Sequence, residues 1–501
     1  MRHRNYRLLW GGQLVSFLGD RIHWVAISLW VYAATGSALS VSYAILALLV
    51  APALVGLFAG AIVDRMSRRT IMIAADLTRA GLVALIPTLM DVGLPWVYGA
   101  LALVSAATAF FRPAMYAAIP QSVPRDQLLQ ANAFFASLDS AAEVIGPALA
   151  GLVVASFGYT AAIYANAASF LVSAAFVSGL RLPAVERAAP DRSGLIPNGV
   201  LESIREGLRY VRADRIHVAL LGLLFMGHWV AGLNSLQTPL AKGILAVTDQ
   251  QFGWFQSIWG LGFVGASVVL GWYGRRIPRG QAIVLGYVFW AASAAAMALA
   301  PNFGMLVTTG FWVGFANIIV FVNVGTIMME HTPTDRIGRA ITVRQVSLAM
   351  VRVAALLGFG WLADVVGIRE AILAMAGVAG AGSIVAGVMF PALWRYRAAP
   401  SPPSIEVSPQ VERQLAEPAW SYTLNRAIAA RLEPDFVAEE QRWLNAATMG
   451  IVGLGWGLLL LTSAVHAVGI AAAIAGVWLI AAGVKRSTLF ARARMMDRGR
   501  R

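Results

Sequence analysis

The chain has no cysteine in its 501 residues, which excludes disulfides, cysteine-ligated zinc and thiol catalysis together. Charge is scarce too. Asp, Glu, Lys and Arg make up 13% of the residues, against about 25% in soluble domains, so there is too little polar side chain to clothe a solvated surface. Lysine is almost missing: Lys242 and Lys485 are the only two, and arginine supplies nearly all of the formal charge of +14. In a soluble chain that excess would suggest nucleic acid. Here the arginines cluster in short connections between apolar runs, which reads as membrane topology, and no nucleic-acid partner is expected. No small-residue cleavage site follows the basic opening Met1 to Arg7, so the first apolar run is expected to be retained as a span.

What is present is apolar sequence, at 58% of residues with a positive mean hydropathy. Runs of about 20 residues, enough to cross ~30 Å of hydrocarbon, recur along the chain. Spans are expected near 7–34, 41–63, 70–90, 95–119, 131–156 and 159–180, then near 216–240, 251–274, 281–300, 303–329, 341–366 and 369–393. The basic connections ("DRMSRR", Arg125, the 181–215 loop, "RRIPR", "DRIGR", "WRYR") all fall on one side, while "ATGSALS", "DVGLP" and "APNFG" carry no Arg or Lys. The positive-inside rule then puts both termini in the cytoplasm.

The expected fold is an all-α integral membrane protein of two six-helix bundles with pseudo-two-fold symmetry, plus a C-terminal two-helix membrane hairpin. Its parts are an N-terminal bundle (1–180), a cytoplasmic loop (181–215) with an amphipathic helix in "LESIREGLRYVR", and a C-terminal bundle (216–396). A proline-rich cytoplasmic linker (397–441) and the hairpin with its basic tail (442–501) follow. An internal repeat at an offset of roughly 210 residues supports the duplication. Pro124, Asp126 and Ala131 match Pro333, Asp335 and Ala340; "FLGD" matches "FMGH"; "GAIVDRMSRR" matches "GWYGRRIPRG". Two halves related along the membrane normal place a binding site near the midplane.

The connection after the second span carries Gly60, Asp64, Arg65, Arg68 and Arg69. It resembles the signature loop of the major facilitator superfamily, with Ser67 where the family usually has glycine and with Arg275 at the acidic position of the second copy. A topogenic charge cluster is the plainer reading of the same residues. The resemblance implies a gate: Gly60 for close helix approach, Asp64 for a cap or ion pair, the arginines for charge-assisted bonds that can be remade. "FFRPAMYAAIPQSVPRDQLLQANAF" and "EVIGPALAGLV" further resemble exporters of the drug:proton antiporter branch, related to macrolide-efflux and enterobactin-exporter proteins, with Gly146, Pro147 and Gly151 as the fifth-helix motif. The resemblance covers about residues 1–395.

Ionisable groups at mid-bilayer cost about 2.5 to 3.5 kcal/mol each on insertion scales, so they face a cavity or a partner. Asp20, Glu143, His228 and Arg352 fall near mid-depth, and the repeat superposes Glu143 on Arg352 and Asp20 on His228. Those four, with Arg112, are the expected proton and substrate cavity. For Arg352 a structural role as partner of Glu143 is equally open. Arg112 beside Pro113 either binds carbonyls that the proline frees or faces the cavity. Asp76 and Arg79 read as a structural pair, His23 and His217 as interfacial, and Asn234, Gln237 and Asn317 as cavity-lining or as helix-to-helix bonds. "GLGFVG" (Gly260 to Gly265) lies inside a span with no strand before it and reads as close helix packing, not a dinucleotide site.

These readings imply a secondary active transporter in the cytoplasmic membrane of a prokaryote. It would couple proton entry to efflux of an amphiphilic small molecule (drug, macrolide or siderophore-like). The expected partners are that substrate, protons and lipid, in a monomer with no metal, no cofactor and no enzyme site. A lipid or metabolite mover with other coupling, and a non-transporting scaffold or sensor, are the alternatives.

Overall fold

The computed structural model describes residues 3–63, 66–182, 208–274, 277–333, 336–394 and 396. The chain forms two compact units. One comprises Met1–Ala266 and Ile277–Tyr396 and carries the contacts and the cavity described below. The other comprises Ser267–Arg276 and Arg397–Arg501, so the expected linker and hairpin lie outside the described residues, as does most of the expected amphipathic helix.

Every regular element among the described residues is helical. The N-terminal part contains α1 (Arg4–Thr35), α2 (Ala38–Val63), α3 (Arg68–Val92), α4 (Leu94–Ala118) and α5 (Leu128–Ser178). The rest contains α6 (Arg215–Gly227), α7 (Leu233–Pro239), α8 (Asp249–Tyr273), α9 (Arg279–Ala298), α10 (Phe303–His331), α11 (Ile337–Val366), α12 (Ile368–Met389) and the short α13 (Pro391–Trp394). Among the described residues, ten helices are long and apolar enough to cross a membrane. Outward faces stay greasy: Phe157 is 74% exposed and Val388 76%, which suits hydrocarbon, not water.

Three departures from the expected spans have local causes. The fifth and sixth spans run together as α5 and break at Gly158, whose φ of 81° suits a residue without Cβ. The last span stops at Met389 instead of running to residue 393, because Pro391 opens a new short helix after the non-helical Phe390. The seventh is not one regular helix. Between α6 and α7 the backbone tightens into a 3-10 turn over His228–Gly232, and beyond α7 it widens into a π turn over Leu240–Ile244. Gly227 and Gly232 flank the tight turn, and glycine weakens helix by about 1 kcal/mol relative to alanine.

Two buried clusters hold α1 to α5 together. One runs through Ile27, Val31, Val41, Ile45, Val83, Val97, Leu101, Ile163 and Phe170. The other gathers Tyr6, Leu9, Met72, Phe111, Met115, Phe135 and Val177. The Tyr6 hydroxyl donates to the Ala131 carbonyl at 2.9 Å, so the entrance of α1 is tied to the start of α5. Ala131 and its repeat counterpart Ala340 are each 1% exposed.

Helices of different parts of the chain meet closely at one end of the molecule. Asp364, near the end of α11, accepts from the Ser37 hydroxyl (2.5 Å) and from the backbone N–H groups of Ala38 (2.7 Å) and Leu39 (3.2 Å) at the start of α2. Deeper in, α5 and α8 pack backbone to backbone. A Cβ at Gly253 would lie 2.5 Å from the Pro147 carbonyl and 2.9 Å from the Gly151 Cα, and one at Gly260 would lie 2.8 Å from the Glu143 carbonyl. "GLGFVG" is thus a packing surface, as its place in an apolar span predicts.

Candidate functional site

A cavity of about 340 Å³ opens among α1, α2, α5, the broken seventh span and α8 to α11. Its walls are largely apolar and aromatic, with Trp24, Leu220, Leu223, Trp259, Phe263, Trp290 and Phe321 among them. Its ionisable lining is short: Arg21, Glu143, His228, Tyr287, Arg344 and Arg352. The 3-10 turn supplies His228, Val230 and Ala231, and α7 supplies Asn234 and Gln237. Irregular backbone is tolerated at membrane depth where it borders a cavity.

On one wall Glu143 is ion-paired with Arg21, and Asp139 lies 3.6 Å from the same guanidinium. Gly146, one turn along α5 from Glu143, leaves room for the Arg21 stem, since a Cβ there would collide with it. Gly151 makes the same allowance for α8. The fifth-helix motif therefore sits on the seams that α5 forms with α1 and α8. On the opposite wall the His228 Nδ1 lies 3.1 Å from the Tyr287 hydroxyl. Arg344 and Arg352 come from α11, and the Arg344 guanidinium lies 5.4 Å from the Phe321 ring centroid.

Glu143, His228 and Arg352 thus share one cavity. Glu143 takes Arg21 as its partner, so of the two roles open to Arg352 the ion pair with Glu143 is not the one formed. Asp20 and Arg112 are not among the lining residues. Asp20 lies within electrostatic reach of Arg79, Arg112 and Arg21 inside the N-terminal helices, so of the two residues that the repeat superposes, His228 lines the cavity and Asp20 does not. Residues one apart on a helix point about 100° apart, which turns Asp20 inward and delivers Arg21 to α5. Asp76 and Arg79 do form a fully buried ion pair, with the Arg79 guanidinium held between the rings of Phe111 (4.3 Å) and Phe170 (4.2 Å). Asn234 and Gln237 line the cavity while donating to carbonyls of their own span.

In the signature loop, Asp64 and Arg65 lie outside the described residues, and Gly60 falls within α2. Arg68 donates to the Ala117 carbonyl at 3.0 Å, and Arg69 to the Ser178 carbonyl. Both arginines tie the start of α3 to the ends of α4 and α5.

His23 and His217 are enclosed by protein, at 4% and 2% exposed. His217 belongs to a cluster that sequence reading missed. Asp214 caps α6 by accepting from the Ile216 and His217 N–H groups (2.9 Å each), and its carboxylate also meets His217 Nδ1 and His331 Nε2 at 3.0 Å. Burial pushes the Asp214 carboxyl up, but the hydrogen bonds from His217 and His331 outweigh it and hold the pKa down at about 2. Asp214, His217 and His331 are also the one group among the described residues spaced to hold a metal ion. Arg344 and Asp364 were missed as well. Arg344 carried the same signal as Arg352, a charge inside a span, whereas nothing in the order of residues pairs Asp364 with Ser37.

A sequence model of the Major Facilitator Superfamily matches residues 9–238 and 220–501. The chain belongs to this superfamily. Among its relatives are macrolide efflux protein A of Streptococcus pyogenes, 26% identical over 315 residues (61% of this chain and 76% of that protein), and the multidrug efflux pump Tap of Mycolicibacterium fortuitum, 28% identical over 381 residues (72% and 90%). In fold it is similar to the crystal structure of the nucleoside transporter NupG (TM-score 0.61, 15% identity, 77% of this chain and all of that one). A bacterial homologue of the iron transporter ferroportin is comparably close (TM-score 0.59, 14% identity, 78% and 99%). The chain is a multi-pass membrane transporter.

Proposed function

We propose that this chain is a proton-coupled exporter of amphiphilic small molecules, working as a monomer in the cytoplasmic membrane of a bacterium with both termini inside. Two pseudo-symmetric six-helix halves, 1–180 and 216–396, would rock about the central cavity, joined by the 181–215 loop. The relatives named for macrolide and multidrug efflux support the direction and the substrate class. The observation that carries the reading is the cavity itself, with a carboxylate–guanidinium pair on one wall and a His–Tyr–Arg group on the other, within apolar and aromatic surroundings.

In this reading the Asp364 contacts and the α5–α8 seam close the outer side, so substrate enters from the cytoplasm. A proton arriving on Glu143 frees Arg21, and substrate arriving from the cytoplasm returns Arg21 to the carboxylate and expels that proton. Glu143 is the proton carrier, Arg21 its switch, and the loop containing Gly60, Asp64, Arg65, Arg68 and Arg69 is the inner gate. The test is Glu143→Gln, which imitates the protonated state. Proton release on substrate addition to purified protein is expected to vanish while substrate binding survives. Proton release equal to wild type would move the coupling site elsewhere.

A further inference from the structure

The charges of the cavity do not balance, and the imbalance lies on one wall. Among the described residues three arginines face one glutamate, and that glutamate, with Asp139 beside the same guanidinium, is committed to Arg21. Among the described residues no ion pair includes Arg344 or Arg352. Their neighbours are His228 and Tyr287, which bring no fixed negative charge. The Nε of Arg344 is buried without a hydrogen-bond partner. Two guanidiniums without carboxylates, inside a membrane protein, call for a counter-ion from elsewhere. They are eight residues apart on α11, about 12 Å along its axis, with Leu348 between them on the same cavity wall.

We propose that Arg344 and Arg352 form the anion-binding wall of the transport cavity, and that the substrate is an amphiphilic organic anion whose carboxylate, sulfonate or phosphate head they neutralise. The proposal rests on the reading of this cavity as the transport site. Guanidinium forks match the planar oxygen pairs of such heads, and His228 and the Tyr287 hydroxyl add donors on the same side. Trp259, Trp290 and Phe321 take the apolar body, and the cavity volume suits a drug-sized molecule. A lipophilic cation would instead add a like charge beside two fixed ones.

The test uses two probes with the same fluorophore and chain, dansyl-aminooctanoate and dansyl-aminooctyl-trimethylammonium, titrated onto the full chain in phosphatidylcholine nanodiscs. The carboxylate is expected to bind at least about tenfold more tightly, equivalent to about 1.4 kcal/mol. Arg344→Gln with Arg352→Gln should abolish that preference, and the Arg344→Lys, Arg352→Lys pair should keep it, which separates lost charge from lost fold. Competition of the probe by phosphatidylglycerol, dependent on both arginines, would make a lipid phosphate the physiological head; no competition would leave a soluble organic anion. Preferential binding of the ammonium probe, or a preference unchanged in the Gln pair, overturns the proposal. Transport of the ammonium probe alone would do so while leaving the exporter reading intact. Binding of the carboxylate without transport would uphold the anion wall and defeat the exporter.

Discussion

Asp364 receives three donors from the start of α2, two of them backbone N–H groups that would otherwise be orphaned at a helix N-terminus. Removing a capping side chain costs about 1 kcal/mol, which is about fivefold in a two-state ratio. Asp364→Ala is therefore expected to raise the population open at that end several-fold. The lack of native cysteine makes the measurement clean: with Asn234→Cys as the reporter, an impermeant maleimide added from the Asp364 side should label the Ala variant several-fold faster. Equal rates would remove the latch. Asp214 supports a pH prediction. Its folded pKa of about 2 lies below the ordinary 3.8, so its contribution to stability is whole above the ordinary value and fades as pH falls through about 2. The Tm gap between wild type and Asp214→Asn should be constant from neutral to mildly acidic pH, then narrow toward zero as the pH approaches 2. A gap that persists there would show that the carboxylate's charge is not what the two histidines hold.

At the scale of elements, the informative contact is that between α5 and α8, where glycines let the two backbones touch. Overpacking a tight contact costs about 1 to 3 kcal/mol, and Gly253 has the Pro147 carbonyl directly over it. Gly253→Val is expected to insert and fold but to disfavour the closed seam, lowering export several-fold with the carboxylate or any other transported probe. Full export by the variant would mean that the seam stays parted during turnover. Gly146, Pro147 and Gly151 were legible as a motif, and their spacing put them on α5. That Gly146 clears the Arg21 stem could not be read from order alone, because it depends on the rotation of α1 against α5. The broken seventh span was half legible: Gly227, His228 and Gly232 interrupt its apolar run, but how closely the turn packs on α11, where a Cβ at Gly232 would lie 3.0 Å from the Ala355 carbonyl, depends on tertiary structure.

For the whole molecule, the described lining of the cavity comes from residues before Tyr396, and the described helices supply a fold comparable with the solved transporters. A chain ended after Arg397 is accordingly expected to reach the membrane, elute as a single species and retain part of its export activity in proteoliposomes. Correct insertion with no transport of any substrate would make residues 398–501 part of the machine.

Composition and the spacing of apolar runs determined the solvent, the helical class and nearly every span, because crossing hydrocarbon requires a long apolar helix whatever its neighbours are. The arginine-bearing connections and the signature loop pointed to the superfamily for the same local reason. Tertiary structure alone decided which ionisable groups meet. Asp20 and Arg21 are adjacent in the chain, yet one turns into the N-terminal helices and the other into the cavity against Glu143. Arg352, the repeat counterpart of Glu143, stands with Arg344 in the cavity that Glu143 also lines, yet among the described residues neither arginine has an ion-pair partner. Helical periodicity places a side chain on a face, but the partner it finds there depends on how two helices are rotated and how far one slides along the other, and those are settled by packing.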